Sequence, residues 1–243
     1  MKRALSIKPL LAALMLLLSF GVLAQEAAIR KTLAERLPNI KIDEITRTPI
    51  PGLYEVRYEG TEIVYSDATG EHLLSGALIE TKTRTDLTAA RQEKLLAIDF
   101  DKLPLKDAMV QRQGSGARKM AVFVDPNCGY CKRFERDIAA IKDVTIYTFL
   151  IPILGPDSTA KSRDIWCAKE PMRAWRDWML DAVVPAKAGG KCDDAAIERN
   201  LAFSRSHRIN GTPAVFFEDG TRKPGALPRA EVERLLVAAS ANK

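Results

Sequence analysis

The chain has 243 residues, 47% hydrophobic and 28% charged, with four cysteines and a formal charge of +6. These proportions exclude wholesale disorder, a collagen-like repeat and a multi-span membrane protein, and leave a folded chain of one or two domains. The charge is concentrated at the start, where residues 1–24 hold Lys2, Arg3 and Lys8 and no acid; beyond them 34 basic residues face 31 acidic ones, a net +3 that gives no support to nucleic acid as a partner. In chain order, the basic start, the almost purely apolar run from Leu10 to Phe20 and the small residues leading to Ala24 form the three-part layout of a secretory signal. The uncharged stretch from residue 9 to 24 is 16 residues long, short of the roughly 18 that span a bilayer. Cleavage after Ala24 is therefore expected. No cysteine lies near that point, so no lipid anchor is expected there.

Beyond Gln25, residues Ala27, Ala28, Ile29, Leu33 and Leu37 recur at helical spacing up to Pro38. Segments rich in β-formers follow at 40–47, 53–58, 62–66 and 72–79, with turn residues between them. Tyr54, Val56 and Tyr58 alternate with Glu55 and Arg57, as in an antiparallel sheet with one wet face. A helix and sheet spanning only residues 25–84 make a thin core. Such a module is expected to need a partner, and an exposed sheet edge offers one. Residues 85–102 read as a connecting helix, with Leu87, Leu95, Leu96 and Ile98 interleaved with Arg91, Gln92, Glu93 and Lys94.

Residues 103–243 are built differently. Met120 to Val124 and Val144 to Ile153 are continuous apolar runs, as in strands buried on both faces, and Phe134, Ile138 and Ile141 between them keep helical spacing. Strand, helix and strand in so short a span form a βαβ unit. A mainly helical stretch at about 157–206, broken at Pro171, Pro185 and Gly189-Gly190, precedes a strand at 214–217 and a last helix from Pro228 to Ala239. The whole is an α+β chain.

The first buried strand runs into Cys128-Gly129-Tyr130-Cys131, where a helix is expected to begin. Free backbone N–H groups and the positive end of a helix stabilise a thiolate. Cys128 is the candidate nucleophile and Cys131, one turn further on, the candidate resolving thiol. Asp125 is expected to cap or flank this loop and is not assigned as a base; Lys132 and Arg133 add positive charge. A zinc site fits poorly, because Cys167 and Cys192 are not a second close pair and His72 and His207 are the only histidines. A structural clip also fits poorly, since so small a ring saves little entropy, whereas a bond between Cys167 and Cys192 would contribute about 3 kcal/mol. Redox exchange without a metal is the favoured reading. Trp166, Trp175 and Trp178 read as core or partly exposed aromatics.

The Cys-Gly-Tyr-Cys motif after a strand, Gly211-Thr212-Pro213 before a late strand, the segment Ile165 to Lys169 and the later Cys192 together resemble the DsbC family of periplasmic disulfide isomerases. The resemblance covers essentially the whole chain beyond residue 24. It implies a dimerisation domain at 25–84, a linker helix at 85–102 and a thioredoxin-like domain with a helical insertion. It implies a cis Thr212–Pro213 bond facing Cys128, with Gly129, Tyr130, Thr212 and Pro213 contacting substrate. It also implies a structural disulfide between Cys167 and Cys192. The implied protein is a homodimer that isomerises or reduces wrong disulfides in misfolded exported proteins and also acts as a chaperone. It needs no cofactor beyond the redox-active Cys128–Cys131 pair, and a membrane thiol reductase of the DsbD type keeps it reduced. Alternatives are a narrow-client or sulfenic-acid reductase like DsbG, which the Gly-Tyr dipeptide disfavours, a holdase, and a monomeric oxidase like DsbA.

Overall fold

The structure, a computed structural model, describes residues 24–241; the signal sequence expected over residues 1–24 lies outside them except for Ala24. The chain divides into two compact units, the first ending at Leu95 and the second starting at Leu96.

The first unit opens with helix α1 over residues 24–36. Four antiparallel strands follow, β1 (Ile42–Arg47), β2 (Leu53–Tyr58), β3 (Glu62–Asp67) and β4 (Leu73–Leu74), in the order β1-β2-β3-β4. One turn apart on α1, Ile29 and Leu33 are buried against Ile45, Tyr54 and Val56, which share one face of the sheet. The fourth strand is shorter than the 72–79 expected from β-propensity. Ser75 and Gly76 interrupt it, and Ile79–Glu80 (β5) pairs instead with Thr85–Asp86 (β6) in a separate hairpin.

Helix α2 runs from Leu87 to Leu96, so the helical expectation for 85–102 is trimmed at both ends. Thr85 and Asp86 are taken by β6, and the Asp86 side chain accepts from Ala89 N (2.9 Å) at the helix start. At the other end the Asp99 side chain caps a 3₁₀ turn at Phe100–Lys102, and Ile98 and Phe100 are buried in the core of the second unit. The helix is fastened to its own sheet. Arg91 bonds Glu44 (2.6 Å) and Glu55 (3.2 Å), and Thr88 bonds Tyr65.

The second unit is a five-stranded sheet in the order β11-β10-β8-β9-β7, formed by β7 (Met109–Gln113), β8 (Arg118–Val124), β9 (Val144–Leu150), β10 (Ala214–Phe217) and β11 (Arg222–Pro224). Strands β8 and β9 are parallel and joined through α3 (Gly129–Ile138); the other pairs are antiparallel. Strand alternation explains the unbroken apolar run in β8. Met120, Val122 and Val124 point into one core with Cys131, Phe134 and Trp175, and Ala121 and Phe123 point into another with Phe149, Ile209 and Phe216. Between β9 and β10 lie α4 (Pro156–Trp166), α5 (Pro171–Asp181) and α6 (Ala195–Ser206), and the chain ends in α7 (Arg229–Ala241). Among the described residues no helix is long and apolar enough to cross a membrane.

A candidate dithiol site

Strand β8 delivers the chain to Asp125-Pro126-Asn127-Cys128, and α3 begins at once. Cys128 is the N-cap of that helix, with its Sγ accepting a hydrogen bond from Cys131 N at 3.3 Å. In the cap position a sulfur takes the place usually filled by a serine or aspartate oxygen. The negative charge of a thiolate there meets the unpaired N–H groups of the first turn. Cys131, one turn inside the helix, is 0% exposed, whereas Cys128 is 6% exposed, and both are free thiols.

The environments split the two thiols. A hydrogen bond with the Cys131 side chain, assisted by Thr212 and by the N–H groups of Cys131 and Tyr130, lowers Cys128 to about 6 against the opposing effect of burial. Burial, together with the hydrogen bond to Cys128, pushes Cys131 far above the ordinary thiol range. At neutral pH one sulfur is thus a thiolate and the other keeps its proton. The turn before β10 completes the site. The Thr212–Pro213 bond is cis, and in its thiol form Cys128 Sγ donates to the Thr212 carbonyl at 3.3 Å.

The loop ahead of Cys128 is held by Asp125, expected to cap or flank it, through partners that lie mostly outside the loop. Asp125 is fully buried, and four donors satisfy its carboxylate. Asn127 N (2.7 Å) and Ser158 Oγ (2.8 Å) bond Oδ1, while Ile153 N (2.8 Å) and Leu154 N (3.0 Å) bond Oδ2. The Asp125 carbonyl accepts from Cys128 N at 3.1 Å. A second brace is Trp178 of α5, whose Nε1 donates to the Pro126 carbonyl at 2.6 Å. Lys132 Nζ sits 4.1 Å from the centre of the same indole, and Arg133 pairs with Asp137. Of the other tryptophans, Trp175 is fully buried and donates to the buried Glu135 (2.7 Å), and burial raises that carboxyl.

The remaining cysteines form a disulfide. Cys167, which caps the C-terminus of α4, is bonded to Cys192 in the segment before α6, with a Cα–Cα distance of 5.9 Å. The Trp166 Nε1 to Asp193 O bond (2.9 Å) and the Arg163–Asp194 pair (3.0 Å) lie alongside.

A βαβ unit that ends its first strand in a split dithiol, opposite a cis-proline turn, defines a thioredoxin-like thiol–disulfide oxidoreductase. Comparison with known proteins narrows this. Residues 21–89 match the family described as the disulfide bond isomerase protein N-terminal domain, and residues 105–240 match the thioredoxin-like domain. A Bordetella parapertussis protein named "Probable thiol:disulfide interchange protein DsbC" is 47% identical over 212 residues, covering 87% of this chain and 74% of that one. The thiol:disulfide interchange protein DsbC of Escherichia coli K12 is 29% identical over 228 residues, covering 91% and 92%. A crystal structure of a disulfide interchange protein from Neisseria gonorrhoeae superposes with a TM-score of 0.53 at 33% identity, covering 56% of this chain and 98% of that one. The chain belongs to the DsbC family of thiol:disulfide interchange proteins.

Proposed function

We propose that the chain is a periplasmic disulfide isomerase and reductase that works as a homodimer, with Cys128 as nucleophile and Cys131 as resolving thiol. The observation that carries this reading is the split between two thiols one helical turn apart. The Cys128 thiolate attacks one sulfur of a wrong client disulfide, forming a mixed disulfide and expelling the other client sulfur as a thiolate. A different client thiolate then attacks the client sulfur held by Cys128. The client is re-paired, Cys128 leaves as a thiolate, and no electrons are gained or lost.

A stalled complex takes another exit. Cys131 loses its proton and attacks Cys128, the Cys128–Cys131 disulfide forms, and the client departs reduced by two electrons. The dithiol itself carries those electrons, so no other cofactor enters. An outside dithiol must then reduce the pair, a task assigned here to a membrane thiol reductase of the DsbD type. Gly129, Tyr130, Thr212 and Pro213 form the surface that meets the client. Residues 25–84 serve as the dimerisation domain, and the clients are misfolded exported proteins, which the dimer also shields from aggregation. Residues 1–24 serve as the cleaved export signal.

The test is rescue of a scrambled multi-disulfide protein, with the mass of the enzyme measured by light scattering on the same sample. Rescue by a dimer, lost in Cys128→Ala, is the expected result. Rescue that survives Cys128→Ala, or a monomer that rescues fully, overturns the reading.

A further inference from the structure

The segment between β9 and α4 passes beside the dithiol and presents Ile153 and Leu154 to solvent, 38% and 55% exposed. Their backbone is not loose. Both N–H groups end on the buried Asp125 carboxylate, at 2.8 and 3.0 Å, and the same residue accepts from Cys128 N through its carbonyl. A single buried residue therefore ties this strap to the cap of the active helix. Ile151 N adds a bond to Val124 O at 2.8 Å. Gly155, at φ +108°, turns the chain from the strap into α4, a conformation open to glycine and strained for other residues.

The strap holds large apolar side chains where water could reach polar ones. Among the described residues of the second unit, three of the seven exposed large apolar side chains are Tyr130, inside the dithiol turn, and Ile153 and Leu154. The charged groups next to them are already matched, since Asp157 pairs with Lys161 and accepts from Asn127 Nδ2 at 2.7 Å. What is left open is apolar. The occupant follows from the reaction, because Cys128 is only 6% exposed, and a client disulfide must press onto this surface before its sulfur can be reached.

We propose that Ile153 and Leu154, held beside Cys128 by the Asp125 carboxylate, form with Tyr130 an apolar subsite that selects client disulfides with a large apolar residue flanking the attacked cysteine. Asp125 is the positioning residue of this subsite, and the inference rests on the reading of Cys128 as nucleophile. The partner is an extended polypeptide with an aliphatic or aromatic side chain next to its half-cystine. Burying one such side chain on the strap, at about 25 cal/mol per Å² of apolar area, favours its reaction about tenfold, the equivalent of about 1.4 kcal/mol.

The experiment uses the reduced full-length protein in single-turnover reactions with two peptides. Each carries one cysteine as a mixed disulfide with glutathione, and they differ only in a leucine or a glycine flanking that cysteine. Each turnover converts the protein dithiol to its disulfide and releases peptide thiol and glutathione, so the electrons balance without added reductant. Wild type is expected to react about tenfold faster with the leucine peptide. In Ile153→Asn combined with Leu154→Asn this ratio falls to near unity, whereas Leu154→Met keeps it. A wild-type ratio near unity, or a double-asparagine variant that keeps the wild-type ratio, overturns the subsite while leaving the dithiol reading intact. A Cys128→Ser variant that reduces both peptides as fast as wild type overturns the dithiol reading and the subsite together.

Discussion

Two cysteine pairs share the second unit and have opposite fates. Cys167 and Cys192 are bonded, one at the C-terminal cap of α4 and the other ahead of α6, 25 residues apart in sequence. Cys128 and Cys131 are free and lie within the first turn of α3. The amino acid is the same, so the difference lies in what surrounds each sulfur. The long loop makes the first bond a constraint on the unfolded chain. At the second pair, helical N–H groups and unequal burial separate two thiols into a thiolate and a protonated reserve.

The largest expected effect breaks the reactive pair. Cys128→Ala should lower disulfide rescue on the order of a thousandfold or more, as removal of a nucleophile does elsewhere. Cys131→Ala should keep the first attack and accumulate mixed disulfides, visible by mass spectrometry of acid-quenched reactions. A Cys131 variant that clears its mixed disulfides at the wild-type rate contradicts the division of labour between the thiols. Next in size is the staple. Replacing Cys167 and Cys192 by alanine should lower the unfolding free energy by about 3 kcal/mol, read by urea denaturation, and leave the pH at which Cys128 is alkylated unmoved. A shift of that pH would mean that the two pairs are not independent.

How much of this was legible in the sequence follows from where each signal resides. Strands β8 and β9 and helix α3 announce themselves by unbroken apolar runs and helical spacing within one stretch of chain. Strands β7 and β11 do not. Met109–Gln113 is an edge strand of two apolar residues followed by three polar ones, with no alternation, and Arg222–Pro224 is three residues of mainly polar character, so tertiary pairing alone makes them strands. The helix expected over 85–102 stops at Leu96 because Ile98 and Phe100, which extend its apolar pattern, belong to another core.

The site divides in the same way. Cys128 and Cys131 are recognisable as a local motif, but the Asp125 clamp is not, because its partners Ile153, Leu154 and Ser158 lie 28 to 33 residues further on. The cis bond before Pro213 has no local signal either, since trans is the default for such bonds, and only the family resemblance pointed to it. Trp178 was legible as an aromatic in the insertion, and its bond to Pro126 spans 52 residues.

The pH dependence sharpens the contrast between the pairs. Cys128 titrates at about 6 in the folded reduced protein against an ordinary value of 9.0. Between these values the unfolded chain holds a proton that the native chain has lost, so stability rises with pH. The contribution is fully present above 9.0 and is lost as pH falls through about 6, with a slope of at most about 1.4 kcal/mol per pH unit for one proton. The unfolding free energy of reduced wild type should therefore gain on that of reduced Cys128→Ser as pH goes from 5 to 8. A constant difference across that range would show that the thiolate is not stabilised by the fold. The disulfide-bonded pair has no thiol to titrate and contributes no such slope.

The smallest effect concerns the physical link between the two regions. Trp178 belongs to α5 in the same helical insertion as the staple, and its Nε1 reaches the Pro126 carbonyl beside the dithiol at 2.6 Å. Trp178→Phe removes the donor and keeps an aromatic ring beneath Lys132 and Lys161, which stand 4.1 and 4.9 Å from the indole centre. Losing one such hydrogen bond should cost about 1 kcal/mol in urea denaturation. If the brace only adds stability, the alkylation midpoint of Cys128 stays where it is. If the Pro126 carbonyl swings once released, the cap at Cys128 loosens and the midpoint rises from about 6 toward the ordinary thiol value. The expected outcome is the rise, because Pro126 and Asn127 are all that separate the clamped Asp125 from the cap, and the carbonyl bonded by the indole is one of theirs. An unmoved midpoint with the same loss of stability would confine Trp178 to packing and leave Asp125 as the brace that holds the loop, with the bonds from Cys131, Thr212 and the helical N–H groups setting the thiolate.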